Sequence, residues 1–100
     1  MHFLLFYQTA PDYLQRRPLH RAAHLAYARQ AVARGELVLG GAVGDPPESA
    51  LLLFQGEDDS AARRFAEGDP YVVEGIVASW TVRPWTTVVG ADAAHRVSLG

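Results

Sequence analysis

Four histidines offer side chains that move protons near neutral pH: His2, His20, His24 and His95. His2 and His95 fall in end segments and receive no role. His20 and His24 stand four apart, so they share a face of any helix that contains them. The His-x-x-x-His spacing is also that of a metal-binding pair. Here, however, Arg21 follows the first histidine where the zinc-protease motif needs glutamate. Its guanidinium repels a divalent cation, and no third ligand lies close in sequence, so neither a metal nor another cofactor is expected. With helical steps of about 100°, Leu25, Ala28, Ala31 and Val32 fall on His24's side, whereas Arg29 and Gln30 fall further round. His24 therefore lies within an apolar face. It reads either as a core histidine bonded to backbone or as a general acid/base at the edge of a pocket between helix and sheet. Arg21, a turn before Leu25, is either a surface arginine paired with a carboxylate or a bidentate fork for a substrate carboxylate or enolate.

Asp69-Pro70-Tyr71 is the second cluster. Aspartate before proline is a helix N-cap pair, in which the carboxylate accepts backbone N–H groups and proline fills the first helical position. An aspartate so engaged is a poor base but a good partner for an imidazole, whose ring tautomer it would fix. Nothing in the spacing itself brings Asp69 to His24. Tyr71 and Trp80 fit the wall of an apolar pocket and fit a packed core equally well.

These residues need elements to position them. Phe3–Tyr7 is a short apolar, aromatic run that does not alternate, which predicts a strand buried on both faces. Leu19–Arg34 is rich in alanine, with Pro18 placed for a first helical turn and Gly35 just past the end, which predicts a helix. Leu37–Leu39 reads as a second strand ending at a Gly40-Gly41 turn, Gly44–Pro47 as a loop, and Ala50–Phe54 as a third strand, again apolar on both faces. Asp58 or Asp59 suits the N-cap of a second helix carrying Ala62, Phe65 and Ala66 at helical spacing and stopped by Gly68. Asp69-Pro70 begins a short turn or helix through Val73. Ile76–Val82 is the fourth strand, interrupted at Arg83-Pro84. The order is that of a ferredoxin-like α+β domain, β-α-β-β-α-β, with both helices on one face of the sheet. Residues 1–89 form this single domain, and 90–100 form a tail expected to fray.

Composition narrows the chemistry. A chain of 100 residues is one domain's worth and excludes a site between two large lobes. It contains no cysteine, which removes disulfides, thiol nucleophiles and thiolate metal sites. All basic residues are arginine, so a Schiff-base lysine is excluded. The net charge is −2 with no basic stripe, which argues against nucleic acid as a partner. No apolar run approaches the roughly 18 residues of a membrane span, and the N-terminus lacks the pattern of a signal peptide. No membrane association is expected, and the chain reads as cytoplasmic. Gly40-Gly41-Ala42-Val43-Gly44 lacks the lysine and helix of a phosphate loop. Two strands apolar on both faces, with helices on one face only, leave an uncovered patch that predicts a homodimer.

The motifs Arg21-x-x-His24-Leu25, Gly35-Glu36-Leu37, Gly40-Gly41, Asp69-Pro70-Tyr71 with Gly75, and Val82-Arg83-Pro84-Trp85 together resemble the YCII (YciI-like) family, over about Phe3 to Val89. The resemblance implies a ferredoxin-like fold that dimerises as an α/β barrel. It also implies a site made of a first-helix histidine and the aspartate of the Asp-Pro motif, which carry over to His24 and Asp69. Activities implied by the family and its wider barrel group run from dehydrochlorination of a chlorinated hydroxyquinol to lactone isomerisation and cofactor-free oxygenation.

Three functional readings result. The first is a small-molecule enzyme of the elimination, isomerisation or hydrolysis class. His24 is then the acid/base, Asp69 its orienting partner, and Arg21 and Tyr71 the substrate contacts. The second is a non-enzymatic module that binds a metabolite or serves a neighbouring protein. The third, by analogy of fold alone, is a cofactor-free oxygenase.

Overall fold

The computed structural model describes residues 1–96. Its elements are β1 (His2–Thr9), α1 (Tyr13–Ala33), β2 (Leu37–Val43), β3 (Ser49–Gln55), α2 (Ser60–Gly68), α3 (Pro70–Val73) and β4 (Val77–Trp85). The strands form one antiparallel sheet in the order β2-β3-β1-β4. This is the expected ferredoxin-like α+β arrangement, with the single-turn α3 added. None of the described helices is long and apolar enough to cross a membrane.

The pairing register sorts the sheet into two faces. Phe3 opposes Phe54, Leu5 opposes Leu52, and Tyr7 opposes Ala50 on one side of β1 and Trp80 on the other. These residues lie on the face toward the helices, where all but Phe3 join Ala62, Phe65, Ala66, Tyr71 and Ile76 in the core. Phe54 and Phe65 meet tilted at 58°, with 5.2 Å between ring centres. The alternate residues Leu4 and Phe6 oppose Leu53 and Leu51 on the other face, which none of the described helices covers. Both central strands are thus apolar on both sides.

Helix α1 begins earlier than its proline suggests. Pro18 lies inside the helix, and the first turn starts at Tyr13. The reason is tertiary. Tyr13 is buried and meets Tyr71 edge-on at 6.3 Å. Its N–H bonds Ala10 O, and the Ala10 N–H bonds Ile76 O. That anchor outweighs the one intrahelical bond proline removes. The other end follows expectation. Gly35 has φ +78°, with Gly35 N–H to Val32 O and Glu36 N–H to Ala31 O closing a Schellman cap.

Two further boundaries differ. Strand β2 does not turn at Gly40-Gly41 but runs on to Val43, with Gly40 opposite Leu52 and Gly41 opposite Leu51. A Cβ on Gly40 would sit 3.1 Å from Leu52 Cγ, so the glycine serves close packing against β3. Strand β4 starts at Val77 rather than Ile76 and runs through Arg83-Pro84 to Trp85. Proline is tolerated there because β4 is an edge strand. At the start of α2, Asp59 holds the N-cap position, while the Asp58 carboxylate accepts Ser60 N–H.

Gly90–Arg96 folds back on Thr87, whose carbonyl accepts His95 N–H and whose hydroxyl accepts Ala94 N–H. The same hydroxyl lies 2.7 Å from Nδ1 of the buried His2. His2, given no role from sequence, therefore ties β1 to the segment after β4. The expectation for residues 97–100 lies outside the described residues.

Candidate active site

Helix α1 carries His24 over the sheet, and the α2–α3 junction carries Asp69 beneath it. Asp69 is the N-cap of α3, with Pro70 at the first helical position and Oδ1 accepting Tyr71 N–H at 3.0 Å. That local geometry fixes the carboxylate. It is fully buried, and two more donors converge on it. His24 Nδ1 lies 2.8 Å from Oδ1, and the Tyr7 hydroxyl donates to Oδ2 at 2.7 Å. Both oxygens of the buried carboxylate are thus engaged, as burial of such a group demands.

The network sets the tautomer of His24. Tyr71 N–H can only donate, and Asp69 is the acceptor for all its partners, so Nδ1 carries the imidazole proton. Nε2 then presents its lone pair and has no hydrogen-bond partner among the described residues. The Tyr71 ring lies flat on the imidazole, 3.9 Å between centres and 2° between planes. This stack holds the ring's orientation from its face, while Asp69 holds it from its edge.

His24 opens on a cavity of about 420 Å³. Its walls include Tyr7, Tyr13, Arg17, Arg21, Arg29 and Tyr71. The sheet side is supplied by Leu37, Gly40, Ala50 and Leu52, among others. The volume matches a small-molecule site. Arg21 lies on the cavity wall and pairs with no carboxylate among the described residues. The surface ion-pair alternative for Arg21 therefore gives way. Val32, placed on the apolar face of α1 from sequence, is 52% exposed because this part of the face borders the cavity rather than the core. Trp80 lies elsewhere, on the sheet beside Tyr7. His20 does not line the cavity with His24, and among the described residues no three His, Cys, Asp or Glu side chains gather as a metal group.

Tyr7 is the site member that sequence reasoning missed. Its signal was a phenol at the end of an otherwise hydrocarbon run, because a buried hydroxyl needs a partner. Burial, then the charge and hydrogen bond of Asp69, push its phenol far above the ordinary tyrosine range. Tyr7 therefore stays protonated and serves as a fixed donor. Arg17 was missed because the helix was expected from Leu19, six residues after its start at Tyr13. Once α1 begins at Tyr13, Arg17 falls one turn before Arg21, its guanidinium 5.5 Å from the Tyr13 ring centre.

A family model, the YCII-related domain, matches residues 1–86. A Haemophilus influenzae protein of uncharacterised function is 33% identical over 97 residues, covering 88% of this chain and 99% of its own. Protein YciI of Escherichia coli is 28% identical over the same shares of both chains. Among solved structures, 5-chloro-2-hydroxyhydroquinone dehydrochlorinase from Burkholderia phenoliruptrix AC1100, complexed with 2,5-dihydroxybenzoquinone, is similar in fold. It superposes with a TM-score of 0.72 at 27% identity, covering 87% of this chain and 95% of that one.

Proposed function

The chain belongs to the YCII-related domain family, and from that premise we propose that it is a small-molecule enzyme working by proton transfer. The observation that carries the reading is the His24–Asp69 pair at the wall of a ligand-sized cavity, with Nε2 free. His24 Nε2 takes a proton from a carbon next to a carbonyl, or from a hydroxyl conjugated to one through a carbon–carbon double bond. The electron pair left behind delocalises onto the carbonyl oxygen as an enolate, and Arg21 holds that charge. In an elimination the pair then expels a leaving group; in an isomerisation the proton returns at another carbon. Asp69 keeps Nδ1–H in place and balances the imidazolium as it forms, the usual role of a third group behind a base. Tyr71 provides an aromatic wall for a planar substrate.

The similar dehydrochlorinase supports a substrate of the hydroxylated quinone or hydroquinone type. Absorbance assays on chlorinated and enolisable ring compounds test the reading, with His24→Asn as the control. The variant keeps a donor toward Asp69 and removes Nε2. Turnover in the parent chain that the variant loses is the expected result; equal turnover removes the mechanism.

A homodimer belongs to the same proposal. Leu4, Phe6, Leu51 and Leu53 share the uncovered face of the sheet, where Phe6 is 37% exposed. Packing that face on a second copy supplies the burial a 100-residue chain otherwise lacks. Light scattering is expected to give twice the chain mass, and a stable monomer at micromolar concentration refutes the assembly.

A further inference from the structure

The Tyr71 hydroxyl is buried and has no hydrogen-bond partner among the described residues. The other groups of Tyr71 are accounted for. Its backbone N–H is on Asp69, and its ring is stacked on His24 and edge-on to Tyr13. A buried hydroxyl with no acceptor is costly, so such a group calls for an explanation. Tyr71 belongs to the wall of the cavity, and an occupant of the cavity that reaches the hydroxyl would supply the acceptor.

The surroundings indicate what the missing acceptor is. Arg17, Arg21 and Arg29 line the cavity, whereas its lining contains no aspartate or glutamate. None of the three arginines pairs with a carboxylate among the described residues. Burial and the neighbouring Tyr13 push the Tyr71 phenol up, while the Arg21 and Arg17 guanidiniums pull it the other way. The net direction is upward, so the phenol stays a donor at neutral pH.

We propose that the Tyr71 hydroxyl, with the guanidiniums of Arg21 and Arg17, forms an oxyanion-binding subsite selecting a small planar organic anion, of the enolate, phenolate or carboxylate class, over its neutral analogue. The proposal rests on the proton-transfer reading of the same cavity and adds a second catalytic donor to it. A hydrogen bond to charge that develops on the substrate oxygen strengthens in the transition state, which is the logic of a preorganised oxyanion hole. The stack at 3.9 Å places this donor's ring directly against the base's ring, so base and oxyanion donor are held as one unit.

The test is a binding titration by absorbance and calorimetry. The probes are 2,5-dihydroxybenzoquinone, which is ionised at neutral pH, and 2,5-dimethoxybenzoquinone, which is neutral. The parent chain is expected to prefer the ionised probe. Tyr71→Phe keeps the ring stack and removes only the hydroxyl, so it should weaken that probe about tenfold or more and leave the neutral one unchanged. Its unliganded melting temperature should stay the same or rise, because the hydroxyl has no partner to lose. Arg21→Gln, at an exposed position, should weaken the ionised probe and flatten its salt dependence. Equal binding of both probes, or of neither, by the parent chain overturns the proposal. So does a Tyr71→Phe chain that binds the ionised probe normally or melts lower. His24→Asn separates the two readings. It should bind the ionised probe but not turn substrate over. If it turns substrate over, the proton-transfer reading fails by itself; if Tyr71→Phe and Arg21→Gln bind normally, the oxyanion subsite fails by itself.

Discussion

Asp69→Asn has a definite consequence for the His24 tautomer. The amide has one accepting oxygen and one donating nitrogen, and the network dictates which goes where. Tyr71 N–H sits 3.0 Å from Oδ1 and can only donate. The amide oxygen must therefore occupy the Oδ1 position, where it also accepts His24 Nδ1–H. The amide nitrogen then faces Tyr7, whose hydroxyl rotates to accept instead of donate. Each heavy atom keeps a neighbour, but the Tyr7 O–H proton loses its acceptor and the hydrogen bonds to a carboxylate become neutral ones. Bonds to charged groups are worth about 1.5–3 kcal/mol and neutral ones about 1, so the loss is on the order of 1 kcal/mol per bond. Relief from burying a charge offsets part of this, leaving an expected destabilisation of about 1–3 kcal/mol in urea unfolding. Asp69→Ala strands all three donors and should be the more damaging change. Nitrogen-15 NMR of the imidazole checks the tautomer: His24 should keep its proton on Nδ1 in Asp69→Asn. A proton on Nε2 in that variant would show that Tyr71 N–H does not set the amide's orientation and would refute the reasoning.

Three other perturbations follow from the same geometry. Tyr7→Phe removes a donor to the buried Asp69 carboxylate and should destabilise the fold by about 1.5–3 kcal/mol at neutral pH. The raised phenol of Tyr7 also gives stability a pH dependence. Below pH about 10 both folded and unfolded states keep the proton. Above it only the unfolded chain releases it, so stability falls as pH rises, and Tyr7→Phe should flatten that alkaline arm in denaturation curves. Gly68→Ala places a methyl 2.6 Å from the Tyr27 hydroxyl, which bonds the Phe65 carbonyl at 2.9 Å. It should lower stability by about 1–3 kcal/mol, and Tyr27→Phe in the same chain should recover part of the loss in a double-mutant cycle. Phe6→Glu, on the uncovered sheet face, should halve the mass in sedimentation while leaving the far-ultraviolet circular dichroism unchanged; a retained dimer places the interface elsewhere.

The element order and the two faces of the sheet were legible because local pattern and tertiary structure agree there. Phe3–Tyr7 and Ala50–Phe54 are apolar throughout and are indeed the two central strands. Asp69-Pro70 was legible as a cap because its chemistry is local. Boundaries failed where a distant contact overrides a local signal. Tyr13 extends α1 past Pro18 by docking on Tyr71, and pairing with β3 carries β2 through two glycines that look like a turn. His24 and Asp69 were each readable as polar residues in special places. Their contact was not, since the sheet and α1 together decide it. Tyr7 escaped notice because a run apolar on both faces does not show which side its hydroxyl meets.

The central claim is that His24 Nε2 is a working base held by Asp69 at the cavity wall. Its most direct test is carbon-bound hydrogen exchange of an enolisable ring substrate in deuterium oxide, followed by proton NMR with the parent chain and with His24→Asn. The account predicts exchange that the parent chain accelerates and that falls by about 10²–10⁴ in the variant, the usual range for a general base. Equal exchange rates with both chains would contradict it.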